Sequence, residues 1–146
     1  MIRQATIADF ERILTPARRF FEASGYGDLV AFDPDSFRAT FEHLLSNDGV
    51  CLIAERNGEI VGIAGALAYP FYFNAHHKTG QELFWWLNPE ERGNSIGLRM
   101  FQAMEAWAKS VGCQSFSMVA LDSLKPEQVG KVYQRAGYRA SERTFI

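Results

Sequence analysis

The segment Leu87-Asn88-Pro89-Glu90-Glu91-Arg92-Gly93-Asn94-Ser95-Ile96-Gly97-Leu98 holds the most readable chemistry in this chain. An apolar strand ends there, a turn of small residues follows, and a long helix begins. Such a turn leaves several backbone N–H groups unpaired and pointing outward. The helix dipole adds partial positive charge at the same place. Together they make an anion site suited to a pyrophosphate. Gly93 and Gly97 let phosphate oxygens approach the main chain with no Cβ in the way. A turn that only connects a strand to a helix has the same composition, so the pattern alone leaves that reading open. Neither G-x-x-x-x-G-K-S/T nor G-x-G-x-x-G occurs, which disfavours a P-loop hydrolase and a dinucleotide site.

The elements around this turn follow from spacing and punctuation. Ile2 to Ala5 reads as a first strand, with Thr6 as the cap of a helix and Asp9 in its first turn. Phe10, Ile13, Leu14, Ala17, Phe20 and Phe21 recur at helical spacing. Pro16 falls inside that pattern and is expected to kink or split the helix, and Gly25-Tyr26-Gly27 ends it. A second helix starts near Asp33-Pro34, with Phe37, Phe41, Leu44 and Leu45 as its apolar stripe. Val50 to Arg56 and Glu59 to Ala68 flank Asn57-Gly58, a strong hairpin signal. Gly62 and Gly65 mark a close approach within the second arm. Tyr69 to Thr79 is an aromatic loop or a strand extension, and Glu82 to Asn88 is a further strand. Ile96, Met100, Met104, Trp107 and Val111 stripe the helix after the turn. Phe116 to Leu121 reads as a strand, Pro126 to Ala136 as a helix, and Tyr138 to Phe145 as a last strand. This order gives an α/β (α+β) sandwich with a mixed sheet.

Bulk properties narrow the function classes. The 146 residues fit one domain, 1–146, and the apolar share of 47% supports a real core without staples. A net charge of -2 argues against a nucleic-acid partner. Cys51 and Cys113 are far apart and read as buried free thiols. His76-His77 lies on an extended segment, where neighbours point opposite ways, so no metal site is expected. No apolar run reaches membrane-spanning length, and no signal-peptide core opens the chain. A cytoplasmic location and no membrane partner are therefore expected.

Arg92, two free positions, then Ser95, Ile96 and Gly97 resemble the Q/R-x-x-G-x-G/A coenzyme A signature of the GNAT family of N-acetyltransferases. Ser95 stands where the signature usually has Gly. The helix that follows is similar to the family's. Val132-Tyr133-Gln134-Arg135-Ala136-Gly137-Tyr138 resembles its late Y-x-x-x-G-F/Y segment, and the opening Ile2 to Thr6 with Asp9 is similar to many members. The likeness covers nearly the whole chain, and the order of elements agrees with it independently. In two further places the chain departs from the pattern. Pro126 stands where the family often has an Asn that contacts the cofactor, so that contact is not carried over. Many members continue into another strand, which leaves this sheet either short by one or completed by a partner chain.

The resemblance implies a GNAT-like fold, with about six strands in a mixed central sheet and about four flanking helices. It implies acetyl-CoA as co-substrate, no metal, and transfer of acetyl to an amine in a ternary complex. The coenzyme is expected on Trp86, Leu87, Asn88, Arg92, Gly93, Asn94, Ser95, Ile96 and Gly97, with the main-chain N–H groups of Trp86 to Asn88 facing the oxyanion. At pH 7 an ordinary amine is neutral in roughly one molecule per thousand, so a base or an apolar cleft must favour its reactive form. Tyr133 matches the family's Tyr and is the candidate donor to the leaving thiolate; the competing reading is a ring packed in the core. Glu82 is the candidate base, grouped by strand parity with Phe84 and Trp86 unless a bulge intervenes; an ordinary strand-edge carboxylate is the competing reading. Glu90 and Glu91 would repel phosphates and are expected to face elsewhere. One of Trp85 and Trp86 should enter the core and the other line the cleft. Tyr69, Phe71, Tyr72, Phe73, His76 and His77 form an acceptor wall, a surface patch or a homodimer contact. The acceptor amine (small molecule, peptide N-terminus or protein lysine) is left open. A catalytically weak acyl-CoA-binding regulatory module of the same fold is the alternative to an active enzyme.

Overall fold

Asn57 and Gly58 adopt positive φ values of 53° and 79°, the left-handed pair that a tight hairpin needs. They join β2 (Gly49–Arg56) to β3 (Glu59–Phe71) in a computed structural model that describes residues 1–146. Around this hairpin lie β1 (Ile2–Gln4), α1 (Phe10–Ser24), α2 (Pro34–Leu44), β4 (Asn74–Leu87), α3 (Ile96–Ser110), β5 (Ser115–Ser117) and α4 (Pro126–Arg135). The sheet runs in the order β1-β2-β3-β4-β5. All neighbours are antiparallel except β4 and β5, which are parallel. The expected mixed sheet with four helices is present, with five strands. Tyr138 to Phe145 forms no strand, and β5 is shorter than the expected Phe116 to Leu121. Tyr69 to Thr79 extends the β3–β4 hairpin, turning at Tyr72-Phe73.

Both faces of the sheet are covered, and this explains why Val50 to Ala54 reads as an unbroken apolar run rather than an alternation. Cys51, Ile53, Ile63, Phe84 and Trp86 pack with Phe10, Ile13, Phe41 and Leu44 of α1 and α2. Val50, Leu52, Ala64, Ala66 and Leu87 pack with Met100, Met104 and Trp107 of α3. The close approach expected at Gly65 is real: a Cβ there would lie 2.5 Å from the Phe84 ring. Pro16 does not split α1; its ring is fully buried, and the helix is continuous across it.

The first connection is fixed electrostatically. Asp9 is 4% exposed and accepts from Arg3 Nη2 at 2.8 Å, Arg3 Nη1 at 2.9 Å and the Thr6 N–H at 2.8 Å. The Arg3 guanidinium, aided by Thr6, holds this carboxyl well below the usual carboxylate range. Asp9→Ala should therefore destabilise the fold by about 2 kcal/mol at pH 7. Because the folded-state pKa is depressed, that stabilisation is present above the ordinary value and lost as pH falls through the folded one. Urea unfolding should show the gap between wild type and variant narrowing below about pH 4.

Candidate active site

A β-bulge decides where the chemistry sits. Gly65 pairs with Phe84 and Ala66 pairs with Glu82, so Leu83 is an extra residue in β4. Directly paired residues share a face. Phe84 and Trp86 therefore sit on the α1 and α2 side, whereas Glu82 and Trp85 sit on the α3 side with Ala66 and Ala64. The parity that grouped Glu82 with Phe84 and Trp86 is corrected by this one insertion.

On that face Glu82 meets Tyr133 through the backbone of a single residue. The Val119 N–H donates to Glu82 Oε2 at 2.9 Å, and Tyr133 Oη donates to the Val119 carbonyl at 2.6 Å. Glu82 is 4% exposed, and burial pushes its pKa up to about 7 despite the Val119 donor. Burial, then the nearby Glu82 charge, pushes the Tyr133 phenol far above its ordinary value, so it stays protonated. Both line a cavity of about 240 Å³ with Trp85, Val119, Leu121 and Leu124. Trp85 packs at a tilt against Tyr133 and Phe101, with ring centroids 6.1 and 5.9 Å away. Trp86 is the core tryptophan, and its Nε1 donates to Asn88 Oδ1 at 3.0 Å. Val119 had no sequence signal, because its role is carried wholly by main-chain atoms.

The cavity opens because β4 loses its partner. β5 pairs only with Thr79, Gly80 and Gln81, so the β4 edge beyond them is free. The Asn88 N–H donates to Val61 O at 2.8 Å, which sets the phase of the β3–β4 ladder. Alternation then turns the Trp86 and Asn88 N–H groups toward β3 and those of Trp85 and Leu87 toward the free edge. Of the expected donors Trp86, Leu87 and Asn88, only Leu87 faces the opening, and Trp85 supplies its companion. Arg92 confirms the phase: its Nε donates to the Leu87 carbonyl at 2.8 Å, and its guanidinium lies 4.7 Å from the Trp86 ring centroid. Arg92 thus braces the strand end rather than reaching toward the turn.

The turn itself is exposed from Arg92 to Ser95. The N–H groups of Gly93, Asn94, Ser95, Gly97 and Leu98 have no protein partner. The Ile96 N–H is taken by Asn94 Oδ1 at 2.9 Å, so Ile96 drops out of the donor set and Leu98 enters it. Gly93 has φ 91°, which explains glycine there. Ser95 has φ -81° and ψ -3°, an ordinary conformation that tolerates its departure from glycine. Glu90 and Glu91 are held away, Glu90 on Arg19 at 2.9 and 3.0 Å and Glu91 on Arg56 at 2.7 Å. This donor set fits a diphosphate. No group of three or more His, Cys, Asp or Glu is placed to hold a metal ion, and no helix is long and apolar enough to cross a membrane. Tyr72 and Phe73 lie at the exposed hairpin tip, and none of the residues from Tyr69 to His77 lines the Glu82 cavity.

A bulged strand that parts from its neighbour, beside a helix start rich in free donors, has room for an extended ligand with an anionic end. The chain belongs to the Acetyltransferase (GNAT) family, whose sequence profile matches residues 7–138. No curated protein sequence matches it. Among solved structures, it is similar to a predicted acetyltransferase with acetyl-CoA from Clostridium acetobutylicum (22% identity, 100% of this chain and 94% of that one, TM-score 0.78). It is also similar to AAC(6')-Iy in complex with a bisubstrate analog (19%, 100% and 95%, 0.79). A third is the ribosomal-protein-alanine N-acetyltransferase from Brucella melitensis biovar Abortus 2308 (17%, 100% and 97%, 0.74). At these identities the structural likeness concerns the fold.

Proposed function

We propose that this protein transfers acetyl from acetyl-CoA to a primary amine by direct attack in a ternary complex. The observation that supports this best is continuity. The free N–H groups of Gly93, Asn94, Ser95, Gly97 and Leu98 stand at the mouth of the unpaired β4 edge, and that edge leads to Glu82 and Tyr133. The turn would hold the diphosphate, and the edge would hold the extended pantetheine arm by main-chain pairing. The thioester would then lie beside Trp85, with the Leu87 and Trp85 N–H groups available to the developing oxyanion.

Glu82 accepts the proton of the attacking amine, directly or through one water; its pKa near 7 suits that task. The amine nitrogen bonds to the acetyl carbon, the C–S bond breaks, and the sulfur leaves as thiol with a proton supplied from Tyr133 or solvent. Tyr133 remains protonated at working pH, so it acts as a donor and not as a base. For both groups to work, their contacts with the Val119 backbone must loosen or be shared with the substrates. That same pair of contacts favours the second reading, an acyl-CoA-binding module with little turnover.

Thiol release from acetyl-CoA across a panel of amines and peptides tests the assignment. At least one acceptor should raise thiol release well above the rate of hydrolysis. Binding of acetyl-CoA without amine-dependent release by any member would favour the binding module.

A further inference from the structure

The Glu82 cavity has a neighbour. A second cavity of about 480 Å³ lies between α1, α2 and the sheet, and it shares Phe20, Tyr26 and Leu83 with the first. The bulge in β4 shapes this adjacency: Leu83 and Phe84 both face α1 and α2, whereas Glu82, next in the chain, faces the other way. With coenzyme A laid along the free β4 edge, the acceptor needs a separate approach to Glu82, and this apolar groove offers one. Resting on the acetyl-transfer reading, we propose that the acceptor is a monocationic primary amine on an aromatic or bulky aliphatic body, seated between α1 and α2.

The wall chemistry specifies that class. Phe21, Phe32, Phe37 and Phe84 dominate the second cavity. It is an open groove rather than an enclosed pocket, with Val30, Ala31, Asp33 and Ser36 exposed along its rim. Aromatic faces tolerate one ammonium ion. A polyamine or an amino sugar brings several, and each further charge needs a carboxylate once desolvated. Asp33 is the carboxyl on this cavity's wall, and it is occupied capping α2, where it accepts from the Ser36 N–H at 3.1 Å and from the Ser36 hydroxyl. Glu82 is the carboxyl on the adjoining wall, which matches one ammonium. At the rim the Arg18 guanidinium lies 4.7 Å from the Phe32 ring centroid, where it repels additional positive charge. Tyr26 lines both cavities, and its hydroxyl has no hydrogen-bond partner in the protein. It is free to meet the amine.

Steady-state thiol release should compare phenethylamine and tryptamine with spermidine, kanamycin and a lysine-bearing peptide. A short peptide beginning with Phe distinguishes a peptide source of the aromatic amine from a free one. The aromatic amines, free or at a peptide terminus, should exceed spermidine and kanamycin by about tenfold or more in kcat/KM. Preference for the polycations, with acetyl-CoA still binding, overturns this inference and leaves the acetyl-transfer reading standing. Failure of acetyl-CoA itself to bind would overturn that reading instead. Binding is also read without turnover. N-acetylphenethylamine should raise the melting temperature of the coenzyme A-loaded protein. Ala31→Trp, at an exposed position on the second cavity's wall, should abolish that rise while keeping the rise caused by acetyl-CoA. No rise with the wild-type protein overturns the inference.

Discussion

Glu82→Gln is expected to lower kcat for amine acetylation by about a hundredfold or more, the scale of a lost general base. The amide keeps the shape and the acceptor for the Val119 N–H, so geometry changes little. The pH profile supplies the sharper readout. With wild type, log kcat/KM should bend near pH 7, where Glu82 loses its proton, and continue to rise with the amine's own ionisation. In the variant the bend near 7 should vanish and the amine's slope remain. Stability should move the opposite way. Burial raises the folded-state pKa from the ordinary 4.5 to about 7. The folded protein therefore holds a proton that the unfolded chain has lost between those values, and stability falls as pH rises through that window. At about 1.4 kcal/mol per pH unit, the ionised carboxylate weakens the fold by about 3 kcal/mol above pH 7. Glu82→Gln should thus be more stable than wild type at pH 8 and close to it at pH 5. Equal turnover in the two proteins would remove Glu82 from the reaction. A variant less stable at pH 8 would mean that the carboxylate is better solvated or paired than its burial indicates.

What the sequence displays and what it hides divide along local and non-local physics. Asn57-Gly58 sets its turn by the φ values that those two residues tolerate, so the β2–β3 hairpin is legible without reference to the rest of the chain. The turn before α3 is legible for the same reason: Gly93, the small residues after it and the helix start lie within a few positions of one another. Gly137 likewise has φ 94° just beyond α4. The bulge at Leu83 depends on how Ala66 and Gly65 meet β4, and no residue of β4 announces it. Counting by twos from Glu82 to Trp86 therefore assigns the wrong face. The extent of β5 is set by where the chain leaves the β4 edge after Gln81, a non-local event, and the stretch from Tyr138 to Phe145 pairs with no strand. Val119 contributes through its N–H and C=O, which every residue but proline possesses. Strand alternation shows that Trp85 and Trp86 part to opposite faces, but which of them enters the core is open in the sequence and is decided by the packing of Trp86 with α1 and α2.

Gly93→Val should weaken coenzyme A binding and Gly97→Ala should leave it intact, although both glycines belong to the same motif. A Cβ on Gly93 would meet nothing within 4 Å, so crowding is not the issue. Its φ of 91° is the issue, since a β-branched residue is a severe outlier there. Relief requires rotation of the peptides on either side, which turns the Gly93 and Asn94 N–H groups away from the donors at Ser95, Gly97 and Leu98. Hydrogen bonds to a charged group contribute about 1.5–3 kcal/mol each, so losing two should weaken acetyl-CoA binding by about a hundredfold or more. Gly97 lies inside α3, and a Cβ there would rest 3.7 Å from Leu87 Cδ2 and 3.8 Å from Trp85 Cζ2, ordinary contact distances on the inner side. Alanine at 97 should keep binding and strengthen the helix by up to about 1 kcal/mol. For wild type, acetyl-CoA at a hundred times its Kd should stabilise by about 2.7 kcal/mol, a shift that thermal melting resolves. The Gly93 variant should lose that shift at the same concentration and the Gly97 variant should keep it. Intact binding in Gly93→Val would place the phosphates away from this turn. Loss in Gly97→Ala would mean that the pantetheine arm passes so close to Gly97, between α3 and the Leu87–Trp85 strand end, that even a methyl group obstructs it.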